Sequence, residues 1–165
     1  MSSPFTNGGF ETGDLTSWGT GSTDYGDPNT IYATPNTASA TYGTYGCELY
    51  AETAVSEWAQ ECSYYINQSI DLTDVDVLSF RFIIRQAALA DTEKDVRTVK
   101  FVTYIEKSDP YDYHAMCLIE FDPDHPPSSE DYPLGSLWSE VNYDTSAFSG
   151  VYEFRAAVYA NDHNY

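Results

Sequence analysis

The run LSFRFIIR (78–85) alternates without a break: Leu78, Phe80, Phe82 and Ile84 fall on one side, Ser79, Arg81, Ile83 and Arg85 on the other. A period of two belongs to an extended strand, whose successive side chains point to opposite faces, and one apolar face opposite a polar one places that strand between a core and water. The same period returns in VRTVKFVTYIEK (96–107), YHAMCLIEF (113–121) and VYEFRAAVYA (151–160). Cys62, Tyr64 and Ile66 carry it within SEWAQECSYYINQSIDL (56–72), and GCELYAE (46–52) is a shorter candidate. Polar turns separate these runs: DLTDVD, DPYDY (109–113) and the proline-rich DPDHPPSSEDYPLG (122–135). LWSEVNYDTSAFSG (137–150) reads as a strand followed by a turn, and short strands are expected near Asp24 and over Thr30 to Ala33. Eight or nine short strands without a convincing amphipathic helix predict an all-β, antiparallel sandwich or barrel.

A chain of 165 residues suits a single domain with a real core. Its 15 Tyr and 8 Phe favour pleated, half-buried surfaces. With 26 acidic against 7 basic residues the formal net charge is −19, and the resulting negative potential argues against nucleic acid and anionic membranes as partners. No stretch approaches the roughly 18 apolar residues of a membrane span. The start, MSSPFTNGG, has neither a basic n-region nor an apolar h-region, so the chain is expected to be an excised piece of an exported protein, with residues 1–6 a linker and 7–165 the domain.

The three cysteines, Cys47, Cys62 and Cys117, lack zinc-binding spacing. Cys47 and Cys62 stand symmetrically about the polar turn near Ala54 to Ser56, and if the flanking segments pair antiparallel the two form a disulfide; the alternative is a pair of buried thiols. None of His114, His125 and His163 lies in a nucleophile-type turn. Carboxylate pairs carry no signal in so acidic a chain, and the expectation is that the protein is not an enzyme. DPDH (122–125) and DHN (162–164) offer mixed oxygen and imidazole donors, and Asn67-Gln68-Ser69 matches a glycosylation sequon.

NGGFETGDLTSW (7–18), INQSIDLTDVDVLSFRF (66–82) and LWSEVNYDTSAFSGVYEFRAAVYA (137–160), in that order, resemble the opening, middle and closing segments of galactose-binding-like jelly-roll domains. They are similar in particular to the carbohydrate-binding-module-like domains of bacterial and archaeal surface proteins. The resemblance implies a two-sheet jelly roll with Trp18 as a core plug. It also implies a structural calcium ion held by Glu11, by carbonyls of Asn7 or Gly9, and by a late Asp for which Asp162 is the available residue; calcium takes six to eight oxygens. Relatives carry a further strand of the type YLDDV, whereas this sequence ends in NDHNY, so a final strand is expected to be missing.

Sugar sites present aromatic rings to the apolar faces of pyranoses, together with polar partners for their hydroxyls. The candidates are Tyr42, Tyr45, Trp58, Tyr111 and Tyr113, near glycines or in turns. The leading expectation is an extracellular or cell-surface module that binds carbohydrate or another surface ligand. The rival is an assembly subunit whose open sheet edges pair with other protein chains.

Overall fold

The computed structural model of the protein describes residues 3–25, 30–40, 43–52, 60–83, 97–121 and 139–162. Nine strands form among them: β1 (Gly19–Tyr25), β2 (Thr30–Asn36), β3 (Gly46–Glu52), β4 (Gln60–Asp71), β5 (Val77–Phe82), β6 (Arg97–Ser108), β7 (Tyr111–Phe121), β8 (Ser139–Asp144) and β9 (Val151–Asp162). A 3-10 turn at Thr37–Ser39 follows β2. The fold is the expected all-β antiparallel sandwich. One layer is a five-stranded sheet in the order β1-β4-β9-β6-β7. The other layer is split into two ribbons, β2-β3 and β5-β8.

Strand periodicity builds the core. Ile66 and Ile70 of β4, Tyr152, Phe154 and Ala156 of β9 and Ile105 of β6 are buried in one cluster with Leu72 and Leu78. Ala33, Cys47 and Leu49 from one ribbon and Phe80 and Tyr143 from the other pack against that same cluster. Contact with a single cluster puts both ribbons on the same face of the large sheet. Each fully buried aliphatic chain there contributes roughly 1.5–3 kcal/mol of transfer free energy. In β5 the expected alternation holds from Leu78 to Phe82; Ile84 and Arg85 lie outside the described residues.

Two expectations need correction. Part of the supposed linker belongs to the fold: the Phe5 ring sits 4.9 Å from Phe154 and 5.7 Å from Trp18. Next to it, the buried Gln68 amide accepts from Thr6 N–H and donates to the carbonyls of Thr6 and Ser17, each at 2.8 Å. One side chain in β4 thus satisfies three backbone groups of the entering segment, which is how a polar residue is accommodated in a core. The second correction concerns the disulfide. Cys47 and Cys62 are thiols, because β3 pairs with β2 and lies in the opposite layer from β4. Cys47 faces Pro35 across its ribbon, whereas Cys62 stands between Asp24 and Ala160.

Gly46 opens β3 under the 3-10 turn, so close that a Cβ there would lie 1.8 Å from the carbonyl oxygen of Ser39. That neighbour is backbone and cannot swing aside. Gly46→Ala is therefore expected to destabilise by about 1–3 kcal/mol, the usual range for overpacking, measured as a lowered urea midpoint with unchanged slope. An unchanged midpoint would show that the turn yields freely.

Candidate ligand-binding face

Residues between the core positions of the five-stranded sheet point outward. Register places Arg155 of β9 between Asn67 of β4 and Tyr104 of β6, and Glu106 of β6 between Glu153 of β9 and Tyr113 of β7. The guanidinium carbon of Arg155 lies 4.4 Å from the ring centre of Tyr65 and 5.4 Å from that of Tyr104, within cation–π range. Its Nη2 pairs with Glu106 at 3.1 Å and also with Glu153. Its Nε is buried with no hydrogen-bond partner among the described residues. Tyr104 and Tyr113 continue the row with ring centres 5.0 Å apart. Tyr65 can lie flat because Gly21 is beneath it: a Cβ at Gly21 would come within 2.1 Å of the tyrosine hydroxyl.

The result is an aromatic stripe that crosses the sheet from β4 to β7, interrupted by one arginine and flanked by two carboxylates. Flat rings, fixed N–H donors and carboxylate acceptors on one surface can match the alternating apolar and hydroxylated faces of a sugar ring. Within the row Tyr104 is buried, 7% exposed, with Tyr65 and Tyr159 packed against it, Val102 and Ala157, so it supports the face from below while Tyr113 is exposed. Burial pushes the Tyr104 hydroxyl up to about 12, with Arg155 acting in the opposite direction. Tyr113 is also raised, first by burial and then by Tyr111 and Glu106.

Among the residues expected to bind ligand, Tyr111 (73% exposed) and Tyr113 (43%) lie at the β7 end of this face. Tyr45 is elsewhere, packed against Gly13 in the N-terminal turn. Tyr42 and Trp58 lie outside the described residues, as do Asp122, His125 and His163. Tyr65, Tyr104, Arg155, Glu106 and Glu153 were not expected. Their signal was the polar phase of VTYIEK and YEFRAAVY, opposite the apolar stripe.

The N-terminal turn does not fit the calcium ion that the resemblance implies. The Asn7 carbonyl accepts from Phe10 N–H at 3.0 Å and from Trp18 Nε1 at 3.1 Å, which uses both lone pairs. The Asn7 side chain binds Thr12 through both its oxygen and its nitrogen. The Glu11 carboxylate accepts from the N–H groups of Thr44 (2.9 and 3.2 Å) and Tyr45 (3.3 Å), latching the turn to the start of β3, and Gly9 lies beside it. Asp162 ends β9, eight residues beyond Phe154, on which Phe5 and Trp18 of the N-terminal segment pack. No three His, Cys, Asp or Glu among the described residues group to hold a metal. Asn67 and Ser69 of the sequon lie within β4 and flank the buried Gln68.

A second polar cluster closes the sandwich end. His114 Nε2 meets the Asp112 carboxylate at 2.7 Å, Tyr152 donates to the other Asp112 oxygen at 3.0 Å, and the imidazole packs on Phe148. The Tyr152 hydroxyl, then His114 and Lys107, hold the Asp112 carboxyl below its ordinary 3.8.

Burial raises the Cys47 thiol from 9.0 to about 12, so it is a poor nucleophile. Cys47 and Tyr104 together set an alkaline limit. Both folded values lie above the ordinary 9.0 and 10.0, so folding favours the protonated forms. That contribution is complete below about pH 9 and is lost as pH rises toward 12. The melting temperature is expected to fall across this window, with tyrosinate absorbance appearing in two steps, Tyr104 in the later one. A flat melting temperature from pH 9 to 12 would contradict the burial of both groups.

No family model and no curated protein matches the chain. Among solved structures it is similar to bacteriophage CBA120 tailspike protein 4, described as its enzymatically active domain, with 10% identity and a TM-score of 0.48. The match covers 96% of this chain and 20% of that one, so the chain spans about a fifth of the tailspike structure's length. The expectation that the protein is not an enzyme does not stand beside a match described as enzymatically active, and is withdrawn. Among the described residues no helix is long and apolar enough to cross a membrane.

Proposed function

We propose that this chain is a glycan-binding β-sandwich module of the galactose-binding-like kind, acting outside the cell or on its surface, with its ligand across the outer face of the five-stranded sheet. The observation that carries the reading is the Tyr65-Arg155-Tyr104-Tyr113 row with Glu106 and Glu153 beside Arg155. A net charge of −19 repels acidic polymers, so the ligand is a neutral glycan.

A glycan array probed with the protein and with Tyr113→Ala tests this. Tyr113 is exposed, so the variant keeps the fold and is expected to lose at least about tenfold in affinity, the scale of one stacking contact. Absence of any glycan signal, or equal binding by the variant, would sink the assignment of this face. A second reading, assembly with another polypeptide, is favoured by one specific observation: among the described residues the second layer is split into two ribbons.

A further inference from the structure

β7 closes one side of the five-stranded sheet, and among the described residues it pairs only with β6. A sheet edge carries a row of backbone N–H and C=O groups without a strand partner, and proteins normally blunt such edges with Lys, Pro, short length or a covering segment. β7 runs for 11 residues and contains no Lys, Arg or Pro. Its outward side chains are open to solvent: Tyr111 is 73% exposed, Leu118 58% and Tyr113 43%, and Ala115 is exposed as well.

A bulge divides the strand. Thr103 of β6 faces Cys117 and Tyr104 faces Ala115, which leaves Met116 as an extra residue. Before it Tyr111, Tyr113 and Ala115 point outward; beyond it Leu118 does, while Ile119 is buried. The two halves are out of phase, so regular pairing with a further strand is confined to one side of the bulge. The half that follows the turn, Tyr111 to Ala115, is self-complementary about its middle residue. An antiparallel copy of the same segment sets Tyr113 opposite Tyr113, Tyr111 opposite Ala115 and Asp112 opposite His114. Odd positions meet odd and even meet even, so edge-facing backbone groups find each other and outward side chains share one face. Aromatic pairs and opposite charges are favourable cross-strand combinations. The Asp112 and His114 side chains are both partly exposed, and His114 uses only Nε2 on its own Asp112, leaving Nδ1 without a partner among the described residues.

We propose that β7 pairs edge to edge with β7 of a second copy of this chain, antiparallel about Tyr113, which joins the two five-stranded sheets into one. A two-fold contact uses the same patch on both subunits, and this register does so. The charge of −19 on each copy opposes association, but exposed charges are screened beyond about 8 Å at physiological salt, whereas the Asp112–His114 pairs lie in the seam. On the outer face the two Tyr113 rings meet. The aromatic rows of both copies then run into each other, and each copy contributes a ring to a glycan that crosses the seam. That consequence rests on the glycan reading; the pairing itself does not.

Sedimentation equilibrium on the full chain, in salt of at least about 0.15 M, is expected to show an apparent mass that rises with concentration from 18.5 kDa toward twice that value. Ala115→Asp sets a carboxylate in the seam and is expected to weaken the dimer at least about tenfold, with an unchanged circular dichroism spectrum. Oxidative trapping reads the register. In a Cys117→Ser background, Tyr113→Cys is expected to give a disulfide-linked dimer, because directly opposed residues have Cα atoms about 4.5–5.5 Å apart. Ala115→Cys is expected not to cross-link, since Tyr111 stands opposite it. A monomer at every concentration would overturn the proposal. So would a dimer that Ala115→Asp leaves intact, or one trapped through Ala115→Cys and not through Tyr113→Cys. A dimer without glycan binding would sink only the glycan reading, and a monomer that binds glycan only the pairing.

Discussion

Trp18→Ala is expected to destabilise the protein by about 3 kcal/mol, the lower end of the range for removing a large aromatic from a core, because Trp18 is half-buried. Its ring stacks between Phe5 and Phe10, at 5.7 and 5.2 Å, and meets Phe154 edge-on at 6.1 Å. Phe10 is held at φ 59, an unusual backbone for a bulky residue, and its stack on Trp18 helps offset the strain. Truncating Trp18 removes the surface that joins the N-terminal turn to the core, and Asn7 loses the indole N–H from its carbonyl. Trp18→Phe keeps most of the stacking and drops only that bond, so about 1 kcal/mol is expected for it. Urea denaturation followed by far-ultraviolet circular dichroism measures both. A loss below 1 kcal/mol for the alanine variant would mean that the turn only lies on the sandwich surface.

Trp18 was legible as a core residue only through the resemblance, which implies a tryptophan plug at that position. The strands were legible in the residues themselves: burying one face imposes a period of two, and Leu78-Phe80-Phe82 shows it directly. Pairing was not legible. The symmetry of Cys47 and Cys62 about a turn suggested a hairpin, but the chain changes layers between β3 and β4, and local sequence carries no mark of that crossing. Gln68 was hidden inside a sequon, since an amide that satisfies backbone groups far along the chain looks like any polar strand residue. Glu11 was read as a metal ligand because a carboxylate beside glycines suits calcium; that setting suits backbone N–H groups equally, and here Thr44 and Tyr45 supply them. The candidate face was legible only at its β7 end, where Tyr111 and Tyr113 lie beside a turn. Arg155 was not singled out within the strand VYEFRAAVYA, and only the register of β6 against β9 brings it to Tyr104 and Glu106.

Arg155→Met should abolish glycan binding and also cost about 2 kcal/mol of stability, less than a fully buried pair because the three charged side chains keep partial contact with water. Methionine restores much of the stem's packing, so the loss is mainly electrostatic: Glu106 and Glu153, held by one guanidinium, are left facing each other, and the rings of Tyr65 and Tyr104 lose their cation. Arg155→Lys separates charge from geometry. An ammonium can still balance the two carboxylates, but it cannot lie flat on a ring while donating to both sides. The lysine variant is therefore expected to recover most of the stability and little of the binding. Calorimetry with a glycan identified on the array, alongside urea midpoints for both variants, reads the two effects separately. Full binding by the lysine variant would mean that the face needs only a positive charge at position 155. Full binding by the methionine variant would remove Arg155 from the site, leaving the tyrosines alone to account for recognition.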